Sequence, residues 1–75
     1  MVTIGELEPE LREAVENYRR YGLEMSEYDQ KVYKYDRDED VARLREATAQ
    51  RNYWEGRIKE LIKGREKELY WVLIG

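Results

Sequence analysis

Apolar side chains recur along the first half of the chain at alternating gaps of four and three residues. This spacing is typical of an amphipathic helix with one packed face. It predicts a first helix over residues 8–35. The positions in this pattern are Leu7, Leu11, Ala14, Tyr18, Tyr21, Met25, Tyr28, Val32 and Tyr35.

Gly22 lies inside this pattern and leaves two interpretations of the first helix. A glycine in a helix interior costs about 1 kcal/mol relative to alanine. Either one long helix passes through Gly22, with or without a kink, or Gly22 ends one helix and Ser26 begins another. The unbroken apolar register favours the continuous helix.

The same spacing returns further along and predicts a second helix over residues 38–63. Residues 36–40 form a charged cluster without an apolar side chain, so we place a turn at residues 36–38. Asp36 or Asp38 is expected to cap the second helix, and Gly64 to end it in a left-handed conformation. The apolar face of this helix carries Leu44, Ala47, Arg51, Trp54, Ile58 and Leu61.

Two arms of similar length and a short connection predict a single all-α domain folded as an antiparallel helical hairpin. Facing residues then have numbers that sum to about 74, which places Arg51 opposite Glu24 and Arg65 opposite Glu8. Residues 1–40 hold 12 acids and 6 bases, and residues 41–75 hold 5 acids and 8 bases. This asymmetry predicts an acidic arm lying along a basic one.

The apolar tail, residues 64–75, has apolar side chains on every side of its last part and must be buried. It is expected to return to the chain ends beside Met1, Val2 and Ile4, where the segments pack or pair as short strands. Alternatively, the second helix continues through it. We predict a partner or dimer interface here, because Trp and Tyr are frequent hot-spot residues. The candidates are Tyr70, Trp71, Val72, Leu73 and Ile74, together with Trp54 and Tyr21 of the helices.

Chain length makes self-association part of the prediction. A 75-residue chain builds only a thin core, and without cysteine it cannot add disulfides. Regular helix packing and oligomerisation remain, so we predict a homodimer that forms a four-helix bundle.

The residue types exclude most catalytic chemistry. With no His and no Cys, the chain lacks a base that titrates near neutral pH, a thiol nucleophile and the usual zinc ligands. We predict a non-enzyme without cofactor, metal or small-molecule substrate. A remote alternative is a small helical enzyme whose pocket is lined by arginines, with Arg12, Arg51 and Arg65 as candidates.

A basic stripe supports a second, nucleic-acid-binding alternative. Lys59, Lys63 and Lys67 recur every four residues, although the net charge of −3 disfavours a phosphate partner. No apolar run approaches the roughly 20 residues of a membrane helix, so a cytoplasmic location is expected. The function predicted first is a non-catalytic protein-binding, assembly or regulatory accessory protein.

Overall fold

Two long antiparallel helices form the body of the protein. A computed structural model describes residues 7–74, without the side chain of Ile74. Helix α1 spans Pro9–Tyr35 and α2 spans Asp38–Leu61, and two short helices follow, α3 (Glu66–Leu69) and α4 (Trp71–Ile74). The predicted all-α hairpin is confirmed. It is a rod with principal extents of 42 × 19 × 19 Å.

Helix α1 begins at a proline and continues without interruption through Gly22. Pro9 suits the first helical position, where its missing N–H has no partner to lose, and Glu10 complements the positive end of the helix dipole. The continuous helix, which the apolar register favoured, is the conformation observed. The cost of Gly22 is therefore carried within an intact helix.

The turn differs from the prediction in its capping. Asp36 ends α1 in a left-handed conformation, with φ 48° and ψ 48°, and its N–H donates to the carbonyl of Val32 at 2.9 Å. Arg37 precedes α2, and no side chain caps that helix. Capping by Asp36 or Asp38 was wrong because Asp36 terminates α1 and Asp38 is already helical. Asp38, Glu39 and Asp40 instead complement the positive end of the α2 dipole.

Helix α2 ends at Leu61, two residues before the predicted boundary. The chain then turns, and Gly64 adopts the left-handed conformation expected of it, with φ +89°. The Glu66 carboxylate accepts a hydrogen bond from the Gly64 N–H at 2.9 Å. This turn reverses the chain, so the following residues pack back along the hairpin.

Residues 65–74, here called the C-terminal layer, are two short helices. The predicted strand was wrong for this segment, and so was the continuation of α2, because the turn at residues 62–64 separates it from α2. No strand occurs within residues 7–74. The expected contacts with Met1, Val2 and Ile4 lie outside the described residues.

The charge argument for the hairpin does not survive the observed boundaries. Helix α1 holds six acids and five bases, and α2 also holds six acids and five bases. The acidic excess lies instead in the residues that flank α1. Two ion pairs join Arg side chains to α1 or its N-cap: Arg65 to Glu8 at 3.8 Å, as predicted, and Arg57 to Glu10 at 2.5 Å. Apolar packing, not overall charge, therefore determines how the arms meet.

Candidate interaction surface

The two ends of the rod are packed very differently. We call residues 7–18 and 54–74 the base half, and residues 19–53 the turn half. Among the described residues, the base half contains eight of the nine buried apolar side chains, and the turn half contains one, Ala47. The base-half core consists of Leu7, Leu11, Ala14, Val15, Ile58, Ile62, Leu69 and Val72.

The C-terminal layer accounts for this difference. Leu69 and Val72 are 0% and 1% exposed and belong to the same core cluster as Val15 and Ile62. Val15 itself lies about 100° around α1 from Ala14, at the edge of the face that a two-helix hairpin would bury. Its complete burial therefore depends on a third layer. In the base half, the C-terminal layer fills the groove between α1 and α2.

The same groove continues into the turn half, where it is open. Ser26 lies three turns beyond Val15 on the same side of α1, and Thr48 and Leu44 follow Ile62 in the same way along α2. A depression of about 380 Å³ lies there. We call it the open groove, and it is lined by Met25, Ser26, Asp29, Leu44 and Thr48.

Tyr18 marks the boundary between the filled and the open sections. Its hydroxyl donates to the Leu73 carbonyl at 3.4 Å. The same hydroxyl accepts a hydrogen bond from Arg51 Nη2 at 3.2 Å, and the guanidinium lies 5.1 Å from the Tyr18 ring centroid. Arg51 also pairs with Glu55 at 3.7 Å. The predicted partner of Arg51, Glu24, was wrong, since the guanidinium points toward Tyr18 and Glu55.

Beyond the open groove, the turn half exposes several large apolar side chains. Tyr33 is 95% exposed, and Leu23 is 74% exposed. Met25, Val32 and Leu44 belong to the apolar faces of the helices but are only half-buried. With no third layer over them, the two helices cannot shield these side chains from water.

The predicted interface residues do not form one surface. Val72 is inside the core, and Trp71 and Leu73 pack against it. Tyr70 is 53% exposed, and the side chain of Ile74 lies outside the described residues. The tail prediction therefore divides: Leu69 and Val72 serve the protein's own core, while Tyr70 stays accessible. A partner interface at these positions stays a prediction.

Trp54 and Tyr21 lie apart from each other. Trp54 is half-buried against the base-half core, with the Tyr53 ring edge-on at 5.0 Å. Tyr21 lies in the turn half about 120° around α1 from Val15, away from the C-terminal layer. It lines a separate cleft of about 230 Å³ that also contains two arginines and two glutamates. Opposite charges therefore balance within this cleft.

The lysine stripe requires one continuous helix, and the structure does not provide it. Lys59 lies on α2 and pairs with Glu55 at 3.3 Å. Lys63 lies in the turn after α2, and Lys67 lies on α3. The predicted alignment on one helix face was therefore wrong, because α2 ends at Leu61. Nucleic-acid contact by these residues stays a prediction without an aligned surface behind it.

The three arginines of the catalytic alternative are separated. Arg51 contacts Tyr18 and Arg65 contacts Glu8, and these partners are ten residues, or about 15 Å, apart along α1. Arg12 is exposed. Within residues 7–74, no group of acidic side chains is arranged to hold a metal ion, and no helix is long and apolar enough to cross a membrane.

Only one ionisable group in the described part of the chain shows a resolved pKa shift. Hydrogen bonds from the backbone N–H of Glu66 itself and of Gly64, with a smaller contribution from the positive charge of Lys63, hold the pKa of the Glu66 carboxyl below its ordinary value of 4.5. The charged carboxylate therefore stabilises the turn that leads into the C-terminal layer.

Sequence reasoning missed the open groove. Its residues carry no motif, and Ser26, Asp29 and Thr48 read as ordinary polar positions at the margin of the apolar faces. The available signal was Val15, an apolar residue outside the predicted face. It indicated that the C-terminal layer would lie on this side of the hairpin.

Comparison with known proteins identifies no relative. No family model matches the chain, and no match was found among curated proteins or solved structures.

Proposed function

We propose that this protein is a non-catalytic assembly or regulatory protein that works as a homodimer. The turn halves of two copies pack together and convert two hairpins into a four-helix bundle. One observation carries the proposal: apolar positions that are fully buried in the base half are matched in the turn half by side chains that only a second molecule can cover. Met25, Val32 and Leu44 are the main examples.

Energetics favour covering these side chains. Burying apolar surface contributes about 25 cal/mol per Å², and a chain of this size has little other means of gaining stability. Water contact along the turn half is therefore a cost that dimerisation removes. Exposed apolar surface concentrated in one region is also the usual mark of an interaction site.

The chemistry of the surface favours a second hairpin over a nucleic acid. Asp29 is the one charged residue that lines the open groove, whereas 41% of the whole chain is charged. Phosphate groups would meet a carboxylate there and no lysine or arginine. An apolar helical surface from another copy meets a matching environment. The dimer would then present its exposed outer faces to a further protein partner.

The first test is the solution mass by light scattering. We expect about twice the chain mass of 9.2 kDa. Ser26→Glu places a second acid beside Asp29 in the open groove, at an exposed position that the fold tolerates, and should give a monomer. Leu23→Glu adds the same charge on the outer side of α1 and should leave the dimer intact. A folded wild-type monomer at high concentration would refute the proposal.

A further inference from the structure

The open groove has a matching protrusion on the same chain. The C-terminal layer occupies the groove from the base as far as Tyr18, where the Leu73 carbonyl accepts a hydrogen bond. Beyond Tyr18 the groove is empty as far as the turn. The rod is therefore three layers thick in its base half and two layers thick in its turn half. It has a step near its middle on one face.

A stepped face fits a second copy of itself in one orientation. In a parallel pair, the two C-terminal layers would meet each other and hold the turn halves apart. In an antiparallel pair, each layer lies over the open groove of the other copy. The two contacts are then identical and related by a twofold axis. A face of 42 by 19 Å has an area of about 800 Å², which is the area per partner of a standard stable interface.

The levels of residues along α1 locate the twofold axis. The C-terminal layer runs in the direction of α1, because Arg65 pairs with Glu8 and Leu73 contacts Tyr18. Tyr70, three residues before Leu73, therefore lies near the level of residue 15. The open groove is centred near residue 27. A twofold axis that exchanges these levels crosses α1 near residue 21, and the midpoint of Pro9–Tyr35 is residue 22.

Gly22 thus lies at the predicted axis. A Cβ atom there would have only Arg51 Nε within 4.0 Å, so internal packing does not require a glycine. Two helices that cross at a glycine can bring their backbones closer than at any other residue. Close approach of two α1 helices accounts for a residue that otherwise costs helix stability.

Building on the proposed dimer, we infer that the two copies pack antiparallel, with Tyr70 of each inserted into the open groove of the other. The ring of Tyr70 is 53% exposed in the single chain and would contact Met25 and Leu44. A buried tyrosine hydroxyl needs a hydrogen-bond partner. Asp29 supplies a carboxylate acceptor, which makes the stronger kind of hydrogen bond.

Spin labels can determine the orientation, because the chain has no cysteine of its own. Asp38→Cys labels the turn and Lys67→Cys labels the base. In an antiparallel dimer of mixed chains, turn-to-base distances are about 20 Å and turn-to-turn distances about 40 Å, from the rod dimensions. Short turn-to-turn distances would refute the antiparallel arrangement and leave the dimer standing. Absence of any intermolecular coupling would refute both proposals.

A double-mutant cycle tests the Tyr70 contact separately. Tyr70→Phe and Asp29→Ala should each raise the dimer Kd about tenfold or more, as expected for a hydrogen bond to a charged group. The double variant should lose no more than the more damaging single change, because both changes remove one interaction. Tyr53→Phe, at another exposed tyrosine, is the control. Additive effects, or an unchanged Kd, would refute this contact.

Gly22→Leu tests the position of the axis. The substitution removes the helix cost of glycine, so the single chain keeps its helical circular dichroism. A bulky side chain at the axis should abolish the dimer even so. Gly56→Leu, at an exposed position of α2 with nothing within 4 Å of a Cβ atom, should not. A stable Gly22→Leu dimer would move the axis elsewhere and overturn the inference.

Discussion

The base half and the turn half use the same two helices and the same heptad spacing, yet one buries its apolar face and the other does not. The difference is the C-terminal layer. In the base half, Leu69 and Val72 close the groove, and Val15 and Ile62 reach 0% and 1% exposure. In the turn half, Leu44 occupies the equivalent stripe and stays half-buried. A helical hairpin alone therefore shields only the middle of its contact face, and a third element is needed to complete a core.

Removal of the C-terminal layer should have the largest effect on this contrast. A chain ending at Gly64 loses Leu69 and Val72 and exposes the groove along its whole length. Large-to-small changes at buried residues of this size each cost about 2–5 kcal/mol, against a total stability of about 5–15 kcal/mol for a typical domain. We expect thermal unfolding followed by circular dichroism to lose its cooperative transition.

The control for this truncation is Leu23→Ala, which should shift stability by no more than about 0.5 kcal/mol because the side chain is exposed. A truncated chain that still unfolds cooperatively at the wild-type temperature would show that the base half does not depend on a third layer.

Two matched substitutions compare the halves directly. Ile62→Ala in the base half should cost about 2–5 kcal/mol, because a cavity forms in a closed core. Leu44→Ala in the turn half should cost less than about 2 kcal/mol at protein concentrations too low for association, since water already reaches the side chain. Urea denaturation measures both. Equal losses would mean that the turn half is as well packed as the base half.

The boundary between the halves depends on one hydroxyl group. Tyr18→Phe removes the hydrogen bonds to the Leu73 carbonyl and from Arg51, and should cost about 1 kcal/mol. Hydrogen exchange should show faster exchange at the Leu73 amide, with little change in the middle of α2. Tyr33→Phe, at a tyrosine that is 95% exposed, is the matched control. Unchanged exchange in the C-terminal layer would argue that Tyr18 does not hold it.

The smallest effect concerns acid. Because the pKa of Glu66 is lower in the folded chain than its ordinary value of 4.5, its charged form stabilises the fold above that value. The stabilisation is lost as pH falls through the lower, folded-state pKa. Glu66→Gln should therefore melt below the wild type at pH 6, and the gap should close near pH 3. Glu46→Gln, in the turn half, should show no such convergence, and a pH-independent gap for Glu66→Gln would contradict the assigned cause.

The helices and their antiparallel arrangement could be predicted because their signals are local and periodic. The apolar register from Leu7 to Tyr35 was strong enough to carry α1 through Gly22, and the charged cluster after Tyr35 located the turn. Asp36 was assigned the wrong role because aspartate suits both the beginning of one helix and the left-handed end of another. Sequence alone does not distinguish the two.

The C-terminal layer could not be predicted because its pattern lacks a period. Residues 69–74 are apolar on every side, so strand, helix continuation and separate helix all fit them. Its conformation follows from a tertiary fact, namely the groove beside Val15 and Ile62 that it fills. The open groove was missed for the same reason, since its position depends on how far that layer extends.

The Tyr18–Leu73 contact also bears on the order of folding. It joins residues 55 positions apart in sequence, whereas the hairpin closes through a short turn. Local contacts form early and distant ones late in most small proteins, so α1 and α2 should associate before the C-terminal layer docks. Weakening that layer should then accelerate unfolding more than it slows folding. During synthesis, both long helices emerge before the residues that complete their core, and until then Val15 and Ile62 remain exposed to water.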